Sequence, residues 1–197
     1  MKTKLISIAL ILMLSAPLVI AQSTDKGKTS FAILGGVNFQ NLNGKDIAGN
    51  KLENDMILGF HAGVNIQIPV APEFYFQPGL LFSTKGAKNS TITYKLSYIE
   101  LPLNFVYKGL LGNGFVMVGF GPYVGYAIAT KGGDFKAFDA GGNVFAGYEM
   151  AGGIFCQLNT QFGMLKINPE DNRVLAVYSD KLSVKNTGFG LSLGYRF

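Results

Sequence analysis

The last twelve residues, Asn186-Thr-Gly-Phe-Gly-Leu-Ser-Leu-Gly-Tyr-Arg-Phe197, constrain the fold more than any other stretch of the chain. Phe189, Leu191, Leu193, Tyr195 and Phe197 share one parity, and Gly188, Gly190, Ser192, Gly194 and Arg196 share the other. Strict period-two alternation is the pattern of a strand. Its apolar face is unbroken, while the opposite face is glycine, serine and arginine, the reverse of what a soluble sandwich needs at its crowded core. A strand that shows lipid on one side and lines a narrow polar lumen on the other needs this arrangement.

The start of the chain has a different character. Met1-Lys2-Thr3-Lys4 is basic, residues 5–20 are largely apolar, and Val19-Ile20-Ala21 precedes the polar Gln22-Ser23-Thr24-Asp25. A basic start, an apolar stretch and small or β-branched residues before a cut read as a secretory signal peptide over residues 1–21, cleaved after Ala21. The apolar run falls short of the roughly 20 residues that span a bilayer as a helix, and it contains Ser15 and Pro17. Residues 22–30 are a polar lead, and residues 31–197 are expected to form one domain. Cys156 is the one cysteine, so no internal disulfide is available.

Only 15% of residues are charged, mean hydropathy is +0.27, and no apolar run beyond Ala21 approaches 18 residues. A chain this apolar, without a spanning helix and with 26 Gly, 16 Phe and 9 Tyr, is explained by strands that each turn half their residues to lipid. Formal net charge is +5, its cations are scattered, and no patch points to nucleic acid.

Alternation recurs along the chain. Strands are expected at residues 31–39, 57–70, 74–84, 91–107, 115–129, 139–150, 154–166 and 186–197, eight in all. Most keep one parity throughout. In the fourth, Ile92, Tyr94, Leu96 and Tyr98 share one parity and Ile99, Leu101, Leu103, Phe105 and Tyr107 the other, which predicts a β-bulge near Tyr98-Ile99. Between strands, the long connections 40–56 and 167–185 and the medium ones 85–90 and 130–138 alternate with short turns. Outer-membrane barrels sort their loops this way, with short turns in the periplasm and longer loops outside.

Three segments carry a family resemblance. Tyr98-Ile-Glu-Leu-Pro-Leu-Asn-Phe105, Gly119-Phe-Gly-Pro-Tyr-Val-Gly125 and Gly188 to Phe197 resemble the outer-membrane β-barrel domain family of Bacteroidetes, the porin-family or PorT-like small barrels. The likeness spans residues 31–197 and implies an outer-membrane barrel while saying little about activity. The terminal aromatics Tyr195 and Phe197 resemble the C-terminal signal that the barrel-assembly machinery reads.

Candidate sites are few. Glu100, Glu149, Arg196 and His61 are expected to point inward as a structural lumen charge cluster, because an ion inside a barrel needs a partner or water. Glu149 and Arg196 fall at similar depth near the periplasmic ends of their strands and are expected to neutralise one another, directly or through water. A hydrolase reading would nominate Ser83, His61 and Asp139, but no motif links them. The glycines at 119, 121, 125, 188, 190 and 194 lack the spacing and the Lys-Ser/Thr of a phosphate loop, and fit as clearance inside a narrow barrel. Asp46 and Asp55 lack the spaced acids of a calcium loop, and one His and one Cys of opposite parity do not make a metal site. No catalytic residue, cofactor or metal is expected.

The sequence therefore predicts an all-β, eight-stranded antiparallel up-and-down transmembrane β-barrel, exported through a cleavable signal peptide to the outer membrane of a Gram-negative bacterium. Its expected contacts are membrane lipid, the barrel-assembly machinery and an unknown extracellular partner met through loops 40–56 and 167–185. A structural or loop-mediated interaction or adhesion role with a largely filled lumen is the first expectation. A narrow channel for ions or small solutes and a soluble lipocalin-like carrier of an apolar ligand are the alternatives.

Overall fold

The computed structural model describes residues 28–45, 49–88, 93–132, 135–167 and 183–197. The expected signal peptide, most of the polar lead and the middle of the last long loop lie outside the described residues.

Eight strands follow in order: β1 (Ser30–Lys45), β2 (Asp55–Ala71), β3 (Phe74–Lys88), β4 (Thr93–Leu111), β5 (Gly114–Lys131), β6 (Phe138–Met150), β7 (Ile154–Gly163) and β8 (Ser183–Arg196). Each pairs antiparallel with the next, and β1 pairs with β8 from Ala32↔Arg196 to Lys45↔Ser183, so the sheet closes into a barrel. Among the described residues closure leaves no edge strand, and the backbone groups pair strand to strand within the wall apart from register slips in β2–β3 and β4–β5. The turns at the β8 exit end are short. Pro72-Glu73 takes a positive φ at Glu73 (63°), and Gly112 and Gly153 supply φ of 61° and 86° in the other two.

The parity read from the sequence holds around most of the wall. Phe31, Ile33, Val37 and Phe39 on β1, Leu58, Phe60 and Val64 on β2, and Phe189, Leu191, Leu193 and Tyr195 on β8 are all exposed on the outer face. Leu58 is 66% exposed and Leu193 63%. A continuous apolar face of this extent is tolerated only where lipid covers it. It also rules out a lipocalin-type carrier, whose apolar side is its lumen. At about 3.4 Å per residue, Phe31 to Phe39 runs roughly 27 Å along the strand, or roughly 20 Å of bilayer at a tilt near 40°. Aromatic pairs mark both borders: Phe39–Phe189 and Phe60–Phe82 on the outer side, Phe74–Tyr107 and Tyr195–Phe197 on the periplasmic side.

Above the outer border the strands continue, and here the expectations need correction. There β1 runs on to Lys45 and β3 through Lys85 to Lys88, where loops were expected; at the opposite, periplasmic end β4 runs on through Lys108 to Leu111, where a turn was expected. β4 shows no change of phase: Leu96 and Tyr98 point inward with Glu100 and Asn104, and both are wholly buried. The register does shift between Ser97 and Tyr98, but the extra residue is Ile128 of β5, between Ala127 and Ala129. Beyond the bilayer the barrel interior becomes an ordinary protein core, so the apolar-outside rule lapses and apolar residues turn in. Leu42, Ala87, Leu96, Tyr98, Ala127, Ile167 and Val184 pack there, with Leu52, Tyr94 and Phe135 against them. Ile167 and Leu52 come from the connecting segments, held by backbone bonds to Val184 and Gly44.

Candidate functional site

The lumen is the place where this barrel concentrates chemistry. Ordered along the strands from the periplasmic end, it holds an ionic group, an apolar layer, a small polar cavity and a second ionic group beneath the outer cap.

At the periplasmic mouth Arg196 Nε donates to Glu149 Oε2 at 2.9 Å and Lys108 Nζ to Glu149 Oε1 at 2.6 Å. Arg196 Nη1 also donates to Asn65 Oδ1 at 3.2 Å, and its guanidinium lies over the Phe155 ring. One carboxylate thus holds two cations, contributed by β4, β6 and β8. The direct contact of Glu149 with Arg196 follows from their positions: both stand at the periplasmic ends of downward strands.

An apolar layer of Leu34, Val106, Met117, Phe145 and Phe155 lies next. Glycines make it possible. A Cβ on Gly119 would strike the Phe145 ring, and one on Gly194 the Phe155 ring, so each aromatic lies flat across a glycine of a neighbouring strand.

The polar cavity above has a volume of about 70 Å³ and is lined by side chains that include Asn38, His61, Asn104, Asn143, Asn159 and Ser192. That is room for a few waters. His61 Nε2 meets Ser192 Oγ at 2.7 Å, and Asn159 Nδ2 donates to the same oxygen at 3.1 Å. The nominated trio does not assemble: Ser83 bonds Asn38, Asp139 belongs to the outer ionic group, and the hydroxyl partner of His61 is Ser192. Ser192 is itself wholly buried.

Lys85 occupies the centre of the outer group. Its Nζ is paired with Glu100 Oε1, lies 3.7 Å from Asp139 Oδ2, and sits over the rings of Tyr98 and Tyr123. Asp139 Oδ2 accepts from Tyr123 Oη at 3.0 Å and from Asn186 Nδ2 at 2.8 Å, while Glu100 Oε2 accepts from Gln161 Nε2 at 3.2 Å. The inward ions named from the sequence therefore do not gather in one place. Glu149 and Arg196 meet at one end, Glu100 joins Lys85 and Asp139 near the other, and His61 lies between. Lys85 and Lys108 were missed because each was assigned to a connection. Their parity was the available signal, since Lys85 is in phase with inward Ser83 and Lys108 with inward Asn104.

Among the described residues no group of three or more His, Cys, Asp or Glu side chains could hold a metal. A closed eight-stranded wall with apolar outside and ion-paired inside matches one kind of protein, and the sequence profile of the outer membrane protein β-barrel domain matches residues 20–168. The chain belongs to the outer membrane protein β-barrel domain family. No curated protein matches its sequence. Solved structures of similar form include OprG of Pseudomonas aeruginosa, 10% identical at a TM-score of 0.48, covering 87% of this chain and 97% of that one. Ail of Yersinia pestis, solved with the heparin analogue sucrose octasulfate, is 15% identical at 0.44, with coverage of 87% and 100%. AlkL, solved in DMPC bilayers, is 14% identical at 0.43, with coverage of 90% and 94%.

For this family member the periplasmic group yields a graded prediction. Arg196→Gln should cost about 1.5–3 kcal/mol, the value of a charge-assisted hydrogen bond, because Glu149 keeps Lys108. Removing both cations strands the carboxylate, so the Lys108→Gln/Arg196→Gln double variant should lose more than either single one. The measurement is the temperature at which the fast-running unboiled band is lost on a gel in detergent. A double variant as stable as the parent would show that these ions contribute nothing to closure.

Proposed function

We propose that this outer-membrane barrel is a closed scaffold that presents its external loops to an extracellular partner, in a structural or adhesive role rather than as a conduit or an enzyme. The observation that carries this reading is the double ionic obstruction of the lumen, by Arg196–Glu149–Lys108 at one end and Lys85–Glu100–Asp139 at the other. The apolar cap over the outer group, which includes Ile167, supports it further. The long connections, expected at 40–56 and 167–185 and bounded by the strands at 46–54 and 164–182, are the surface such a partner would meet. On this reading residues 1–21 direct export and are removed, Tyr195 and Phe197 are read by the assembly machinery, and the chain is one of the porin-family or PorT-like barrels of Bacteroidetes.

A narrow channel is the competing reading, favoured by the polar cavity between the two ionic groups. Planar-bilayer recording separates the two. The purified protein should give no steady conductance steps, and deletion of residues 168–182 should abolish adherence of expressing cells to a surface the parent binds, with the folded gel band retained. Reproducible steps that change size on Lys85→Met would replace the scaffold with a channel.

A further inference from the structure

Two features of the outer face coincide. Lys95 of β4 and Lys131 of β5 stand directly opposite one another in the antiparallel register, both exposed and both on the lipid-facing parity. Like charges in directly opposed positions repel, their Cβ atoms being about 5 Å apart. Neither makes an ion pair with any described residue, whereas Lys88 nearby stands across from Asp55. Their height is specific. Lys95 lies four residues beyond Ile99, the last apolar residue on that face of β4, roughly 10 Å further along the membrane normal at the same tilt, so both lysines stand at the outer limit of the headgroup layer and within side-chain reach of it.

Beside them the wall is indented. The β2–β3 register slips between Met56 and His61, and Thr84 fills the broken ladder by bonding both the N–H and the carbonyl of Phe60. There a groove of about 430 Å³ opens, lined by Val37, Leu58, Phe60, Thr84, Leu96 and Lys95 among others. It is largely apolar, continuous with the lipid-facing band, and has a lysine at its outer rim.

We propose that this face holds one anionic membrane lipid, its phosphate between Lys95 and Lys131 and an acyl chain in the groove. The occupant is a lipid because the groove runs into the apolar outer band through the exposed Val37, Leu58 and Phe60, and the lysine pair, without an ion-pair partner among the described residues, selects a negative headgroup. Such a lipid relieves the repulsion across the β4–β5 ladder while covering the apolar walls at the slip. This site lies outside the lumen, so it stands or falls separately from the closed-scaffold reading.

The test is lipid selectivity of the full mature protein in phosphatidylcholine vesicles, with spin-labelled phosphatidylglycerol and spin-labelled phosphatidylcholine compared as the immobilised species. Phosphatidylglycerol should be preferred by at least about fivefold at low salt, the factor expected of a lysine beside an anionic lipid. The preference should vanish in Lys95→Gln/Lys131→Gln and persist in Lys45→Gln/Lys185→Gln, which removes equal charge from the β1–β8 seam. Millimolar inorganic phosphate should leave it unchanged. Absence of preference, equal loss in both double variants, or displacement by inorganic phosphate would each overturn the proposal, the last by making the site one for free phosphate. All four lysines face outward, and the unboiled gel band verifies that each variant is folded.

Discussion

Lys85→Met should be the most damaging single substitution inside the barrel, lowering stability by about 3–5 kcal/mol, the range for breaking a buried ion pair from one side. Lys85 and Asp139 side chains are wholly buried and that of Glu100 nearly so, so the two carboxylates would be left without a cation or water. The loss is read as a fall in the temperature at which the folded gel band disappears. Methionine keeps the length of the stem between Tyr98 and Tyr123, which separates charge from packing. If charge is the cause, Lys85→Met/Glu100→Gln/Asp139→Asn should regain most of the loss, since a neutral set of similar shape needs no counter-ion. A single variant as stable as the parent would mean that water or another group already compensates the carboxylates.

The second large effect belongs to the outer face. Leu193→Arg, near the middle of the apolar band and flanked by Gly35 and Cys156 in the register, should cost about 2–4 kcal/mol of stability in a lipid bilayer. Thr187→Arg, on the same face of β8 but beyond the Phe39–Phe189 border, should cost no more than about 1 kcal/mol, because a cation at the interface keeps its hydration. Folding titrations in phosphatidylcholine vesicles measure both. Equal and small effects at the two positions would contradict the depth at which the band is drawn, since a surface in water tolerates either change within about 0.5 kcal/mol.

These two substitutions stand on opposite sides of what is legible in the sequence. Leu193 and its neighbours could be placed because side chains alternate across a strand, and lipid outside with a narrow lumen inside makes the two parities chemically distinct. The same logic put Glu149 and Arg196 at one depth before any contact was known. Lys85, Lys108, Leu96 and Tyr98 could not be placed so simply. Lysine near a glycine reads as loop, and an apolar residue reads as lipid-facing, when strand length beyond the membrane is unknown.

The sequence by itself determined the strand count, the sense of each face within the apolar band, the order of short and long connections and the band itself, all consequences of period-two patterning against two different solvents. Only the tertiary structure decided which ions meet across the lumen, that Ser192 rather than Ser83 is the partner of His61, that Ile128 of β5 carries the bulge, and that the outer mouth has a core of its own. The physical reason is that pairing across a barrel depends on register and strand tilt summed over several ladders, and a one-residue slip in any of them, as at Ile128 or between Met56 and His61, changes which side chains share a level.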